Sequence, residues 1–252
     1  MSTFNYKAFY DRVGKQNGWD FSKVQCTVEG EMPNLYHLAA QHSPKKKLLL
    51  DIGTGGGEQV LEHCRAFQLV VGIDSSYEMI HAANTNLKAS EHSNFRFFQM
   101  DCTDLKFPDH MFDMVSCRQA PFDPNEVSRV LAPSGLFITQ QVSEHDKYNL
   151  KQAFNRGQSY GEANGAQQKV FVHQLQEAGF INIEVHEYDV TEYYHSAEDL
   201  IFLLKHTPII PSFGIEEQDF DIFEKFIADN QHSKGIKTNS KRYIITAYKR
   251  GQ

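Results

Sequence analysis

Between residues 47 and 142 the apolar positions come in two alternating kinds of block. The first is a short, nearly unbroken apolar run. Leu48–Ile52, Leu69–Asp74, Phe95–Asp101, Phe112–Cys117 and Leu136–Val142 are such runs, and each predicts a buried strand. The second kind has helical spacing. Val60, Leu61, Cys64 and Phe67 follow the first run, and Met79, Ile80, Ala83 and Leu87 follow the second. Strands without polar alternation, separated by amphipathic helices, predict a parallel sheet covered on both faces. Beyond the fifth run the rhythm loosens. Residues 143–166 are polar and carry Gly157, Gly161 and Gly165. A helix is expected over Gln167–Ala178, with Gly179 as its stop. Strands are expected at Ile181–Glu187 and Arg242–Tyr248, and helices near 196–206 and 216–229, divided by Pro208 and Pro211. Residues 1–43 read as a helical extension interrupted by Gly14, Gly18, Gly30 and Pro33. They are expected to pack on the core or to cap the glycine turn described next.

The first strand ends in Asp51-Ile52-Gly53-Thr54-Gly55-Gly56-Gly57-Glu58 and enters a helix at once. Glycines there let the backbone turn sharply and let a ligand lie against it. Two phosphate-binding readings fail on chemistry. A P-loop ends in Gly-Lys-Ser/Thr, whereas Gly57 is followed by Glu58 and Gln59. A dinucleotide fingerprint needs a third glycine where Glu58 stands, and an acid at a helix entrance repels a pyrophosphate. The next two strands also end in acids, Asp74 and Asp101, which puts three carboxylates at the strand ends where such sheets bind ligands.

These residues resemble the class I S-adenosylmethionine-dependent methyltransferase family. Leu50–Gly57 looks like its first motif, and Asp74 like the acid that holds both ribose hydroxyls. Asp101-Cys102 looks like the adenine-binding third motif, and Phe112–Cys117 like the fourth strand motif. Arg129-Val-Leu-Ala-Pro-Ser-Gly135 resembles the turn before strand five. The resemblance is strong over 47–142 and looser to 248. It implies a Rossmann-like α/β fold with a seven-stranded, mostly parallel sheet, an antiparallel last strand and helical insertions. It also implies S-adenosylmethionine as cofactor and S-adenosylhomocysteine as product. The implied cofactor contacts are Asp51, Gly53, Thr54, Gly55, Asp74, Ser75, Met79, Asp101, Cys102, Cys117 and Arg118. Met79 is expected on the adenine ring, and the Cys102 backbone N–H, rather than its thiol, on the base. Core packing is the plain alternative for Met79, Cys102 and Cys117. The expected division is an N-terminal extension or cap, 1–43, and a methyltransferase domain, 44–252, with insertions at 143–166 and 188–235.

The sequence departs from the family after the fourth strand. Arg118-Gln-Ala-Pro-Phe-Asp-Pro leaves room only for a stub of helix, so a truncated crossover is expected. No Asn/Asp-Pro-Pro-Tyr motif and no Pro-Cys nucleophile follows that strand, and no histidine cluster suggests a metal. No catalytic residue is assigned. His145 and His195 are polar candidates only.

The remaining composition narrows the partners. A formal charge of −7 gives no electrostatic reason to expect a polyanion. The four cysteines form no CxxC, which fits a reducing compartment. No secretory signal or run of the ~20 apolar residues of a membrane span is visible, so a cytoplasmic protein without membrane contact is expected. Aromatic insertions suit a small organic methyl acceptor, although the same aromatics also suit the core of a helical subdomain. An RNA-base methyltransferase and a non-catalytic cofactor-binding module are the alternatives.

Overall fold

The computed structural model describes residues 5–42 and 48–251. The lysine run Lys45-Lys46-Lys47, read from the sequence as solvated surface, lies outside the described residues. In chain order the elements are α1 (Tyr6–Asn17), β1 (Cys26–Glu29), α2 (Leu35–Gln41), β2 (Leu48–Ile52), α3 (Glu58–His63), β3 (Leu69–Asp74), α4 (Tyr77–Ala89), β4 (Phe95–Gln99), β5 (Phe112–Arg118), α5 (Pro124–Val130), β6 (Leu131–Val142), α6 (Tyr148–Phe154), α7 (Ala166–Glu177), β7 (Phe180–Tyr194), α8 (Ala197–His206), α9 (Asp219–Asn230), β8 (Gln231–His232) and β9 (Gly235–Lys249).

The strands form one sheet in the order β1-β7-β9-β6-β5-β2-β3-β4, with β8 paired to β9. β6, β5, β2, β3 and β4 are mutually parallel. β9 runs antiparallel to both β6 and β7. This is the expected mostly parallel sheet with an antiparallel last strand. Among the described residues it has nine strands rather than seven. β1, from the extension read as helical, pairs with the far end of β7, and β8 folds back on β9. β7 and β9 are each 15 residues long, about twice the expected runs. The sequence hid this because Glu184–Glu187 is exposed and Asp189 and Glu192 are charged; past Glu187 the strand is carried by its hydrogen bonds to β9 and by the alternately buried Val190, Glu192 and Tyr194.

Side chains alternate across a strand, and the two faces collect different partners. Leu50, Ile52, Val71 and Val115 enter one layer with Val127 of α5 and Leu175 of α7. Leu49, Val70 and Met114 enter the other with Leu35, Leu61 and Ile80 of α2, α3 and α4. The strands are buried on both sides, which is why their sequences are continuous apolar runs. The sheet order reverses between β2 and β5, so the loop after β2 opens at the switch point.

Two expectations are corrected, and of two readings of the aromatics one is favoured. Gly14 does not break α1. A Cβ there would stand 2.9 Å from the Met79 backbone nitrogen, so its absence lets α1 lie against the start of α4. Residues 143–166 hold the short helix α6 with buried Leu150, Lys151 and Phe154. In the 188–235 segment, Tyr194, Phe213, Phe223 and Phe226 form the core of a helical subdomain with Leu150 and Phe154. These aromatics are packed inward, and none of them lines the larger of the two cavities described below.

Candidate active site

The turn after β2 is shaped by backbone more than by side chains. Gly53, Gly55 and Gly57 have φ of +71°, +57° and +76°, the left-handed region where a Cβ is costly. At Gly53 the cost is also steric, because a Cβ would run into the Ala120 methyl. Gly53 and Thr54 both donate to the Ile73 carbonyl at 2.9 Å, which pulls the turn over the end of β3.

The Asp74 carboxylate at that end faces the turn. One oxygen accepts from Gly55 N (3.1 Å) and the other from Ser76 N (2.9 Å). Each oxygen keeps a further lone pair. Burial raises the Asp74 pKa, with these amides pulling the other way. Asp101 follows β4, is exposed, and accepts from Thr103 N and Oγ1 at 2.9 and 2.8 Å, which lowers its pKa.

A cavity of about 890 Å³ opens over these strand ends. Eight of the eleven residues expected to contact the cofactor line it: Gly53, Gly55, Asp74, Ser75, Met79, Asp101, Cys102 and Arg118. Asp51, Thr54 and Cys117 do not. They are buried behind the wall. Asp51 accepts from Ser116 Oγ at 2.6 Å and from the Tyr36 hydroxyl at 3.3 Å, and burial lifts its pKa to about 6. Cys117 Sγ faces the Ala120 carbonyl at 3.2 Å. Burial pushes the Cys102 thiol up to about 11, which leaves it unreactive at neutral pH.

The N-terminal segment covers one side of this cavity. Tyr10 and Trp19 line it. Glu58 Oε1 accepts from Trp19 N at 3.2 Å, and Asp11 accepts from Ser76 Oγ at 2.6 Å, so the loops after β2 and β3 are both tied to the extension. The bond from Ser76 joins the loop after Asp74 to α1.

The opposite side is formed by the end of β6 and its continuation. Gln141, Val142, Ser143 and Glu144 line it, with Lys151 of α6, Phe171 of α7 and Tyr243 of β9. Sequence reading missed Lys151 and Tyr243. They are far apart in the chain and belong to no motif, and only the pairing of β6 with β9 brings Tyr243 to this wall. A second cavity of about 420 Å³ adjoins the first and shares Tyr10, Trp19, Arg118, Gln119, Val142 and Gln158 with it. Arg118 lines both, and among the described residues its guanidinium makes no hydrogen bond or ion pair within the chain. His195 lies elsewhere, against Thr27 Oγ1 at 2.8 Å, and His145 stacks on Tyr148. Neither lines either of these two cavities. Among the described residues no group of three or more metal-ligating side chains occurs, and no helix is long and apolar enough to cross a membrane.

Residues 49–135 match the family model described as a methyltransferase domain. A demethylmenaquinone methyltransferase of Porphyromonas gingivalis is 28% identical over 60% of this chain and 64% of its own. The uncharacterized methyltransferase YcgJ of Bacillus subtilis is 34% identical over 44% of this chain and 46% of its own. The chain thus spans roughly half to two thirds of these relatives' lengths. The crystal structure of YcgJ superposes with a TM-score of 0.58, at 20% identity, over 86% of this chain and 98% of that one. Phosphoethanolamine N-methyltransferase 2 of Haemonchus contortus, solved with S-adenosylhomocysteine and phosphomonomethylethanolamine, gives a TM-score of 0.53 at 19% identity, over 85% of this chain and 52% of that one. At such identities the two structures speak for the fold alone. Over residues 49–135 the chain is thus similar to methyltransferase domains, and its sheet has the fold of these two solved structures.

Proposed function

We propose that the protein transfers a methyl group from S-adenosylmethionine to a small-molecule acceptor by in-line displacement, leaving S-adenosylhomocysteine. The observation that carries this reading is the single cavity that joins the acid-and-glycine wall of β2, β3 and β4 to a polar and aromatic wall from β6, α6, α7 and β9. At about 890 Å³ it lies near the upper end of ligand-pocket sizes, which leaves room for two ligands side by side.

The residues present fit the cofactor. Asp74 has free lone pairs toward the cavity, as a vicinal diol requires. The wall at Gly53 and Gly55 has no Cβ, so a ligand can approach the backbone itself. Met79 and Cys102 offer apolar surface to the adenine, and Asp101 an acceptor for its amino group. Arg118, unpaired among the described residues, suits the methionine carboxylate. Asp51, Thr54 and Cys117 act from behind the wall by holding the turn in shape. When bound, the cofactor supplies a methyl group activated by a sulfonium. The chain's part is to align an acceptor with it and to exclude water.

Residues 1–43 serve as a cap over the turn, and 44–252 as the methyltransferase domain, with the 143–166 insertion contributing the acceptor wall and the 188–235 insertion supporting it. The demethylmenaquinone methyltransferase activity of the P. gingivalis relative favours a quinone-derived acceptor, and the net charge of −7 speaks against a nucleic acid. A cytosolic location belongs to the same reading and rests on four free cysteines.

The test has two stages. Calorimetry measures S-adenosylhomocysteine binding to the wild type and to Asp74→Ala, with at least a tenfold loss expected in the variant because a charged, double acceptor is removed. Labelled S-adenosylmethionine is then offered with demethylmenaquinone or a short-chain analogue. Equal cofactor affinity in both proteins would overturn the site. Cofactor binding with no label transferred to the quinone or to any small-molecule fraction would overturn the activity.

A further inference from the structure

Six ionisable side chains gather past the end of β6: Glu144, Asp146, Lys147, Lys151, Glu192 and Arg242. Four of them, Glu144, Asp146, Lys147 and Lys151, are no more than 3% exposed. Buried ions are tolerated when they are paired, and here the pairing is uneven. Lys147 Nζ lies 2.5 Å from Glu192 Oε2 and also donates to the Asn239 carbonyl at 3.1 Å. Arg242 pairs with Asp146. The two oxygens of Glu144 accept from the Gly165 and Gln167 amides at 2.8 and 2.7 Å, at the start of α7.

Lys151 is left over. Its ammonium donates one hydrogen bond, to the Glu144 backbone carbonyl at 3.0 Å. Among the described residues no carboxylate lies within ion-pair distance of it. An ammonium has three N–H donors, so two have no acceptor among the described residues, and Lys151 lines the main cavity. Its aliphatic stem is fixed in place. A Cβ on Gly157 would stand 2.6 Å from Lys151 Cγ, so the loop after α6 lies with bare backbone on that stem. Burial depresses the Lys151 pKa to about 8. Asp146 and Glu144 oppose that shift, and Arg242 and Lys147 add to it.

A second, independent observation concerns Tyr243. It is 2% exposed, lines the same cavity, and its hydroxyl has no hydrogen-bond partner. A buried polar atom without a partner costs about 1–3 kcal/mol and calls for an explanation. Both groups sit on the β6–β9 side of the glycine turn, away from the acids of β3 and β4. Both are hydrogen-bond donors.

We propose that Lys151 Nζ binds an anionic oxygen of the methyl acceptor and that the Tyr243 hydroxyl, on the same cavity, donates to the same ligand, so that the acceptor class is an aromatic carboxylate or an ionised aromatic hydroxyl. A neutral carbonyl would accept from either group, but only weakly from an ammonium that Asp146 and Glu144 already keep charged without accepting its two spare N–H groups. An anion satisfies both, with charge-assisted bonds at the lysine. Phe171 and the Tyr243 ring supply flat apolar surface beside it. This inference rests on the methyltransferase reading above, because it takes the β6–β9 wall as the acceptor side.

The experiment measures affinity by calorimetry on protein saturated with S-adenosylhomocysteine, using two matched pairs: naphthoate against naphthamide, and nitrophenolate against nitroanisole. The wild type is expected to prefer the anion in at least one pair by roughly ten- to hundredfold, the range for a charge-assisted bond. A preference in the first pair alone assigns a carboxylate. A preference in the second, alone or with the first, assigns an ionised hydroxyl. Lys151→Met is expected to abolish the preference and Lys151→Arg to keep part of it. Tyr243→Phe is expected to weaken anion binding several-fold while leaving the melting temperature unchanged or raised, since it deletes an unpaired hydroxyl. S-adenosylhomocysteine affinity should be the same in all four proteins, and its loss everywhere would instead count against the underlying methyltransferase reading. No preference for the anion in either pair, or a preference retained in Lys151→Met, overturns the proposal.

Discussion

Glu58 Oε1 accepts a hydrogen bond from the Trp19 backbone N–H at 3.2 Å. The same oxygen is 3.4 Å from Asn86 Nδ2. One carboxylate therefore joins the N-terminal extension, the first residue of α3 and the body of α4. The acid that argued against a phosphate ligand in the sequence has a positive use in the structure: it fastens the cap to the glycine turn.

This bond gives the first prediction. Glu58→Ala leaves the Trp19 amide without its acceptor, at a cost of about 1 kcal/mol. Glu58→Gln keeps an acceptor oxygen and should lose less. Trp19 is the only tryptophan in the chain, so its emission reports the cap directly. A red shift and faster amide exchange at Trp19 are expected in the alanine variant. Identical spectra and exchange rates in the two variants would show that the bond does not hold the cap.

Gly53 gives the second. Gly53→Ala combines a positive φ with a collision against Ala120, so neither the turn nor its neighbour can absorb the methyl group freely. A loss of about 2–4 kcal/mol is expected in chemical denaturation. Gly179→Ala is the control: its φ is +85°, but a Cβ there would meet nothing within 4 Å, so only the backbone cost of about 1 kcal/mol applies.

The third concerns pH. Asp51 is fully buried with a pKa raised from 3.8 to about 6. Between those values the folded state holds a proton that the unfolded state has lost. Stability therefore falls as pH rises through this window, by on the order of 3 kcal/mol, and levels off above it. The difference in stability between the wild type and Asp51→Asn isolates this group from other carboxylates. Urea melts at several pH values should show the wild type losing ground to the variant across that window. A difference constant with pH would contradict the assignment.

The fourth separates the two cations of the cavity. Arg118 makes no hydrogen bond or ion pair with the described residues, so Arg118→Met should change stability by no more than about 0.5 kcal/mol. If its guanidinium holds the methionine carboxylate, S-adenosylhomocysteine affinity falls about tenfold. Adenosine, which lacks the carboxylate, should bind both proteins alike. An equal loss for both ligands would remove Arg118 from that role.

The sequence by itself determined the half of the molecule in which local pattern and function coincide. Leu48–Ile52, Leu69–Asp74 and Phe112–Arg118 are strands buried on both faces, and continuous apolar runs of that length have few other uses. The glycine turn and Asp74 were legible because ligand and backbone meet within a few residues of each other in the chain. The tertiary structure decided the rest. It set Asp51, Thr54 and Cys117 behind the wall, because alternation along a strand and the course of a turn choose which side a residue faces, whereas a motif records only its place in the order. It lengthened β7 and β9 through hydrogen bonds between strands that no continuous apolar run announces. It brought Lys151, Tyr243 and the glycine turn to one cavity across a wide separation in sequence. A charge left unpaired, like that of Lys151, is a property of all its neighbours at once, and only the folded chain contains that information.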